Sequence, residues 1–128
     1  MTGREDPLSR VEPLLLIAVG GFVGAALRYA VSQALPGGFP WGTLAVNVLG
    51  SFALAVLLYE AHLADILSAE TRLIFGTGLL SSFTTYSTFA AETVALDPTL
   101  AVVNILANYA LAFLAVIAGR SVTRGVIA

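Results

Sequence analysis

The sequence predicts an all-α membrane protein with four transmembrane helices, the third of them with a composition that fits a helix broken near its middle. Three observations carry this reading. Hydrophobic residues make up 58% of the 128-residue chain and charged residues 11%, which leaves more apolar surface than one soluble core buries. The apolar residues fall into four long runs parted by short polar or Pro/Gly-rich stretches, each run long enough to cross hydrocarbon as a helix. Within the third run an uncharged stretch, Leu73 to Ala91, holds Gly76 and Gly78 and then Ser81, Ser82, Thr84, Thr85, Ser87 and Thr88. Non-helical backbone is tolerated at membrane depth only where protein covers it or it lines a cavity. These hydroxyls therefore read either as a helix breaking near Ser81–Thr84 or as small residues that permit close packing.

Taken in order, residues 1–12 are polar and mixed in charge and read as a short tail rather than a signal peptide. The first span covers about 13–35, with Pro13 near its start and Gly20, Gly21 and Gly24 forming a small-residue face on which another helix can pack closely. Arg28, toward its far end, reads either as snorkelling to the interface or as facing an aqueous path. LPGGFPW, Leu35 to Trp41, is a turn, and Trp41 suits a membrane interface. The second span, about 42–59, carries Thr43, Asn47 and Ser51 four apart on one face, a polar stripe fit to line a pore. The stretch from Glu60 to Arg72 reads as a solvated charged loop. The third span covers about 72–95. Asp97-Pro98 marks a turn, and the fourth span, about 99–119, has Asn104 and Asn108 one turn apart. Residues 120–128 form a tail with Arg120 and Arg124.

Catalysis is not supported. No histidine lies in a span to activate a hydroxyl, His62 falls in a loop, and Glu92 is the one carboxylate inside a span. Absent cysteine excludes disulfides and thiolate chemistry. A net charge of −2 gives no reason to expect nucleic acid. What the spans hold is hydrogen-bond donors in apolar surroundings. Amides and hydroxyls compensate a hard anion for lost hydration, and aromatic ring edges carry partial positive charge. Tyr86 and Phe89, three apart, can present such edges to one path or serve as core aromatics.

TTYSTF, Thr84 to Phe89, resembles the TTFSTF signature of the small fluoride channels, the Fluc (CrcB) family. GGFVGAALRY, GTLAVNVLGS, AAETV and the two asparagines Asn104 and Asn108 support it, in order, over nearly the whole chain beyond the first dozen residues. The resemblance implies an antiparallel dimer of four-span subunits in the cell membrane, with two fluoride pores and a central structural Na⁺. It implies Na⁺ held by the backbone carbonyls of Ser81 and Thr84. It matches Tyr86 and Phe89 to the pore rings, Asn47 to the pore asparagine, Arg28 to the first-span arginine and Glu92 to the acid after the signature. Thr43, Thr85, Ser87 and Asn108 complete the candidate pore lining. Ser81 stands where the family usually has glycine, Tyr86 replaces a phenylalanine, and Ala112 interrupts the polar track of the fourth helix.

The expected function is a fluoride-selective channel that passively exports F⁻ from the cytoplasm and relieves fluoride toxicity. Its expected partners are the fluoride ion, the lipid bilayer, and a second copy or a homologous subunit. The runner-up is a four-span proton-coupled exporter of small cationic drugs, opposed by the lack of an acidic residue from Leu14 to Leu27. A non-conducting partner subunit is the third reading. Arg4, Arg10, Arg72, Arg120 and Arg124 lie on the side shared by the termini and Arg28 toward the other, which predicts cytoplasmic termini.

Overall fold

Asp6 and Pro7 set the start of the first helix in the structure, a computed structural model that describes residues 6–127. The Leu8 N–H donates to Asp6 Oδ1 at 3.1 Å, and proline in the first turn forfeits no intrahelical bond. Helix α1 (Pro7–Ala34) thus begins earlier than expected, residues 7–12 are helical rather than a free tail, and Pro13 lies inside it. Arg4, with the rest of residues 1–5 of the expected tail, and Ala128 lie outside the described residues. The turn at 35–40 uses Gly38 at φ +100°, a conformation costly for any side chain. It delivers the chain to α2 (Trp41–Leu63).

α2 runs a turn further than the expected span, and this changes the reading of the charged loop. Glu60 is buried rather than solvated. Its Oε1 accepts the N–H groups of Ile66 and Leu67, the latter at 2.9 Å, and its Oε2 pairs with Arg72 at 3.3 Å. Arg72 also reaches Asp65 at 2.6 Å. A loop this tight cannot satisfy its own backbone donors, so a carboxylate from the helix end does so.

The third run begins as α3 (Ala69–Arg72), capped by Ser68, and continues as a π-helix (Leu73–Leu80) and the single turn α4 (Ser81–Phe83). It stops at 84–86 and resumes as α5 (Ser87–Ala95). The break is real, but it lies at the downstream edge of the stretch expected to hold it. Ser81 itself is helical, with φ −66° and ψ −29°. Serine in place of glycine therefore bears no backbone strain here. The π-helix was not foreseen, because apolar spacing over eight residues does not distinguish an i→i+5 turn from an i→i+4 one. α6 (Pro98–Ile127) starts on Asp97, whose Oδ1 accepts from Thr99 and Leu100 at 3.1 Å each, and stays helical through Arg120 and Arg124 to Ile127, so the expected C-terminal tail is mostly helix.

Close approaches at glycine arrange the helices. α1 packs on the π-helix across Gly20 and Gly24, bearing out the small-residue face read from the sequence. α2 packs on α6 at Gly119, where an added Cβ would meet Phe52 O at 2.7 Å. The buried apolar set is small: Leu44, Val46, Ala55, Leu80, Phe89 and Ala115. Large side chains such as Phe22, Phe113 and Val94 face outward. In water so much exposed apolar surface would drive association; in hydrocarbon it costs nothing. Among the described residues α1, α2 and α6 are each long and apolar enough to cross a membrane, while the break divides the third run.

Candidate functional site

The site grows from the break. Thr84 turns to extended backbone, φ −80° and ψ 156°, so the helical hydrogen bonds of the next residues fail. The Thr84 side chain bends back to donate to Leu80 O at 2.9 Å. Thr85 finds its partner on α2. Its N–H donates to Asn47 Oδ1 at 2.9 Å, and its carbonyl accepts from Asn47 Nδ2 at 3.0 Å. One side-chain amide thus satisfies both backbone groups of a residue that has left the helix, as buried backbone requires. Thr85 Oγ1 accepts the Thr88 N–H at 3.2 Å and lies 3.5 Å from Ser87 Oγ, so the threonine opens α5. Arg28 donates from Nε to Ser82 O at 3.0 Å, placing a cation at the C-terminal end of the broken helix where the helix dipole favours it.

The second Asn47 contact runs to α6. Asn47 Nδ2 lies 3.3 Å from Asn108 Oδ1, and Asn108 Nδ2 donates to Asn104 O at 2.9 Å and Asn104 Oδ1 at 3.0 Å. Asn104, with no exposed surface, donates to Thr93 Oγ1 at 2.8 Å, and Thr93 donates to Phe89 O at 2.6 Å. Phe89 is buried at 7% exposure against an edge-on Tyr109 ring 6.2 Å away, while Tyr86, 72% exposed, lies 5.7 Å from Phe89.

Two cavities flank Asn47 and Tyr86. One, of about 150 Å³, is lined by Asn47, Tyr86, Phe89, Asn108, Tyr109 and Ala112. The other, of about 350 Å³, includes Asn47, Ser51, Ser81, Thr84, Thr85 and Tyr86. The candidate pore residues Asn47, Tyr86, Phe89, Thr85 and Asn108 are therefore brought together. Thr43 is not with them: it is buried and borders a separate cavity of about 500 Å³ under the 35–42 turn, opposite Glu92. Glu92 Oε2 has no hydrogen-bond partner among the described residues. Arg28 and Ser87 touch the break but line neither of the two central cavities.

Gly50, Thr93 and Tyr109 were not singled out in the sequence. An added Cβ at Gly50 would sit 2.1 Å from Thr84 Cγ2, so the chain at the break rests directly on α2. Thr93, four after Phe89, had a legible signal, since a helical threonine at that spacing bonds back to the carbonyl one turn earlier. The carbonyls of Ser81 and Thr84 accept no hydrogen bond among the described residues. Oxygen-only ligands of this kind, beside no cluster of acidic or histidine side chains among the described residues, suit a hard cation better than a soft one.

Residues 15–120 match the family model described as CrcB-like protein, Camphor Resistance (CrcB). The chain belongs to the CrcB-like family. Proteins named fluoride-specific ion channel FluC 1 from Natronomonas pharaonis and Haloarcula marismortui are each 53% identical to it. The first match spans 109 residues, 85% of this chain and 92% of that protein; the second spans 118 residues, 92% and 91%. A fluoride-specific ion channel FluC 2 from Halobacterium salinarum is also 53% identical, over 84% of this chain and 83% of its own. The CrcB-like family is one of channels and not of enzymes, in keeping with the lack of a catalytic set in the sequence.

Proposed function

We propose that the chain is one subunit of a fluoride-selective channel that lets F⁻ leave the cytoplasm passively and so relieves fluoride toxicity. The cavity where Asn47, Asn108, Tyr86 and Phe89 meet between apolar helices carries this reading. A small hard anion entering it loses hydration, and the losses are made up by amide N–H groups and ring edges that add no fixed negative charge. The 3.3 Å contact between Asn47 and Asn108 is the longest amide link at the cavity. It is the one an anion would open, taking the Asn47 N–H from a neutral acceptor. Hydrogen fluoride crosses lipid uncharged and dissociates inside, and an inside-negative potential then drives F⁻ outward without nucleotide. The names of the relatives support fluoride as the ion.

In this reading four spans cross the cell membrane, with α3 to α5 forming the broken third. Ser81 and Thr84 would hold a structural Na⁺ through their carbonyls, and the bound ion would supply positive charge that steadies the break. Assembly is an antiparallel dimer, with itself or with a homologous subunit. The arginine bias toward the terminal side favours one insertion direction, and relatives numbered 1 and 2 fit a paired arrangement. A cysteine placed at Thr2 and labelled from each side of intact cells separates these. Labelling from both sides supports the self-dimer; labelling from inside alone, with no dimer from the single chain, supports the pair.

Purified chain in liposomes tests the function. Fluoride efflux is expected to exceed chloride efflux, with no uptake of a lipophilic cation, and replacing Na⁺ with a large organic cation is expected to lower fluoride flux. Equal fluoride and chloride efflux, or cation uptake driven by a proton gradient, overturns the channel reading. Flux and dimer stability indifferent to Na⁺ overturn the ion site alone.

A further inference from the structure

The amides beside the cavity form one directed relay, and both ends of it are fixed by backbone. At one end Thr85 gives its N–H to Asn47 Oδ1 and takes one Asn47 N–H on its carbonyl, which fixes the orientation of the Asn47 amide and leaves its other N–H facing Asn108. At the other end Phe89 offers only a carbonyl, so the Thr93 hydroxyl donates there and its oxygen accepts from the Asn104 nitrogen. Asn104 Oδ1 then faces the Asn108 nitrogen, and Asn108 Oδ1 faces Asn47. Apart from the N–H that Asn47 returns to Thr85 O, the donors along this path point one way, from the break toward Phe89, and aligned hydrogen bonds strengthen one another. Both ends lie on the one chain segment that carries Tyr86.

We propose that Thr93 and Asn104 are positioning residues for anion passage: neither lines the cavity, yet together they fix which atom Asn108 turns toward it. This rests on the reading of the chain as a fluoride channel. The threonine hydroxyl alone is an ordinary helical back-bond; the Asn104 amide that it receives makes it part of the site. Without the hydroxyl, a fully buried Asn104 nitrogen has no acceptor, a state proteins avoid. Turning the Asn104 amide over would set its nitrogen against the Asn108 nitrogen, two donors face to face. Asn108 must then move, and with it the acceptor that holds the Asn47 N–H ready.

Thr93→Val keeps the shape and removes the hydroxyl; Thr93→Ser keeps the hydroxyl and trims a methyl. Fluoride and chloride efflux from liposomes are measured for each, and the readout is their ratio. Molecules lost to misfolding lower both fluxes together and leave the ratio alone. T93V is expected to lower the fluoride-to-chloride ratio roughly tenfold, the scale of one charge-assisted hydrogen bond, while T93S keeps the wild-type ratio. An unchanged ratio in T93V, or an equal fall in T93S, overturns the proposal. Should wild-type chain pass no fluoride, the channel reading fails, and the side-chain amide NMR signals of Asn104 and Asn108 still decide the relay. They are expected to shift in T93V and hold in T93S; signals indifferent to both substitutions overturn it. If T93V yields no folded protein, T93S against Thr93→Ala supplies the same comparison.

Discussion

Replacing Asn47 with leucine is expected to cut fluoride flux at least tenfold and to loosen the break in the third span. The side chain makes three contacts at once: it accepts from the Thr85 N–H and donates to Thr85 O and to Asn108 Oδ1. Leucine is of similar size but leaves all three partners without it in half-buried surroundings. At roughly 1 kcal/mol net for each ordinary hydrogen bond, the structural loss is about 3 kcal/mol. The anion loses a donor besides, worth about 1.5–3 kcal/mol when the acceptor is charged. Asn47→Asp separates the two effects. A carboxylate still accepts the Thr85 N–H, so much of the break survives, but it donates nothing and brings negative charge to an anion path. Fluoride flux in N47D is expected to fall as far as in N47L, with less loss of thermal stability. Efflux from liposomes, normalised to folded protein by size-exclusion chromatography, gives the answer. A folded N47L chain with fluoride flux within twofold of wild type would remove Asn47 from the ion path.

How far this site was legible depended on the kind of signal. Asn47 stood out because an amide in the middle of an apolar run is costly unless it has partners, and its spacing from Ser51 put both on one face; both line the 350 Å³ cavity. Thr43 obeyed the same spacing yet borders another cavity, because the cavities change along the length of α2 while the face stays the same. Helix starts at Asp97 were readable from local capping chemistry. The earlier start at Asp6 was passed over because the charged residues that follow it looked like a tail. Glu60 was misread for a related reason: sequence shows a charge, and only the folded loop shows the two N–H groups it must satisfy. The relay joins Thr93 and Asn104, eleven residues apart on successive helices that lie side by side in space, and no period in the chain encodes that pairing. The break was readable as composition, but its exact residues were set by Asn47, a partner from another helix.

Gly24→Val is expected to be the most damaging single substitution for folding. A Cβ at this position would lie 2.2 Å from Leu79 O, 2.9 Å from Leu79 C and 3.0 Å from Leu79 Cα. All three are backbone atoms, so no rotamer change relieves the contact. Gly20 is held likewise, 2.2 Å from Ile74 O, and Gly78 answers from the other side at 2.8 Å from Ile17 O. α1 and the π-helix therefore meet backbone to backbone, where van der Waals contact rather than water release drives membrane helices together. Overpacking a fitted interface with one extra group costs about 1–3 kcal/mol when side chains can yield; here they cannot, so the helices must separate along the whole contact. Separation also withdraws Arg28, on the same helix, from Ser82 O, and with it the cation at the end of the broken helix. G24V is therefore expected to lose both thermal stability in detergent and fluoride flux. Gly37→Ala, whose Cβ would meet nothing within 4 Å, serves as the matched control and is expected to keep both. A G24V chain that melts within a few degrees of wild type would mean that α1 and the π-helix do not touch as closely as the structure has them.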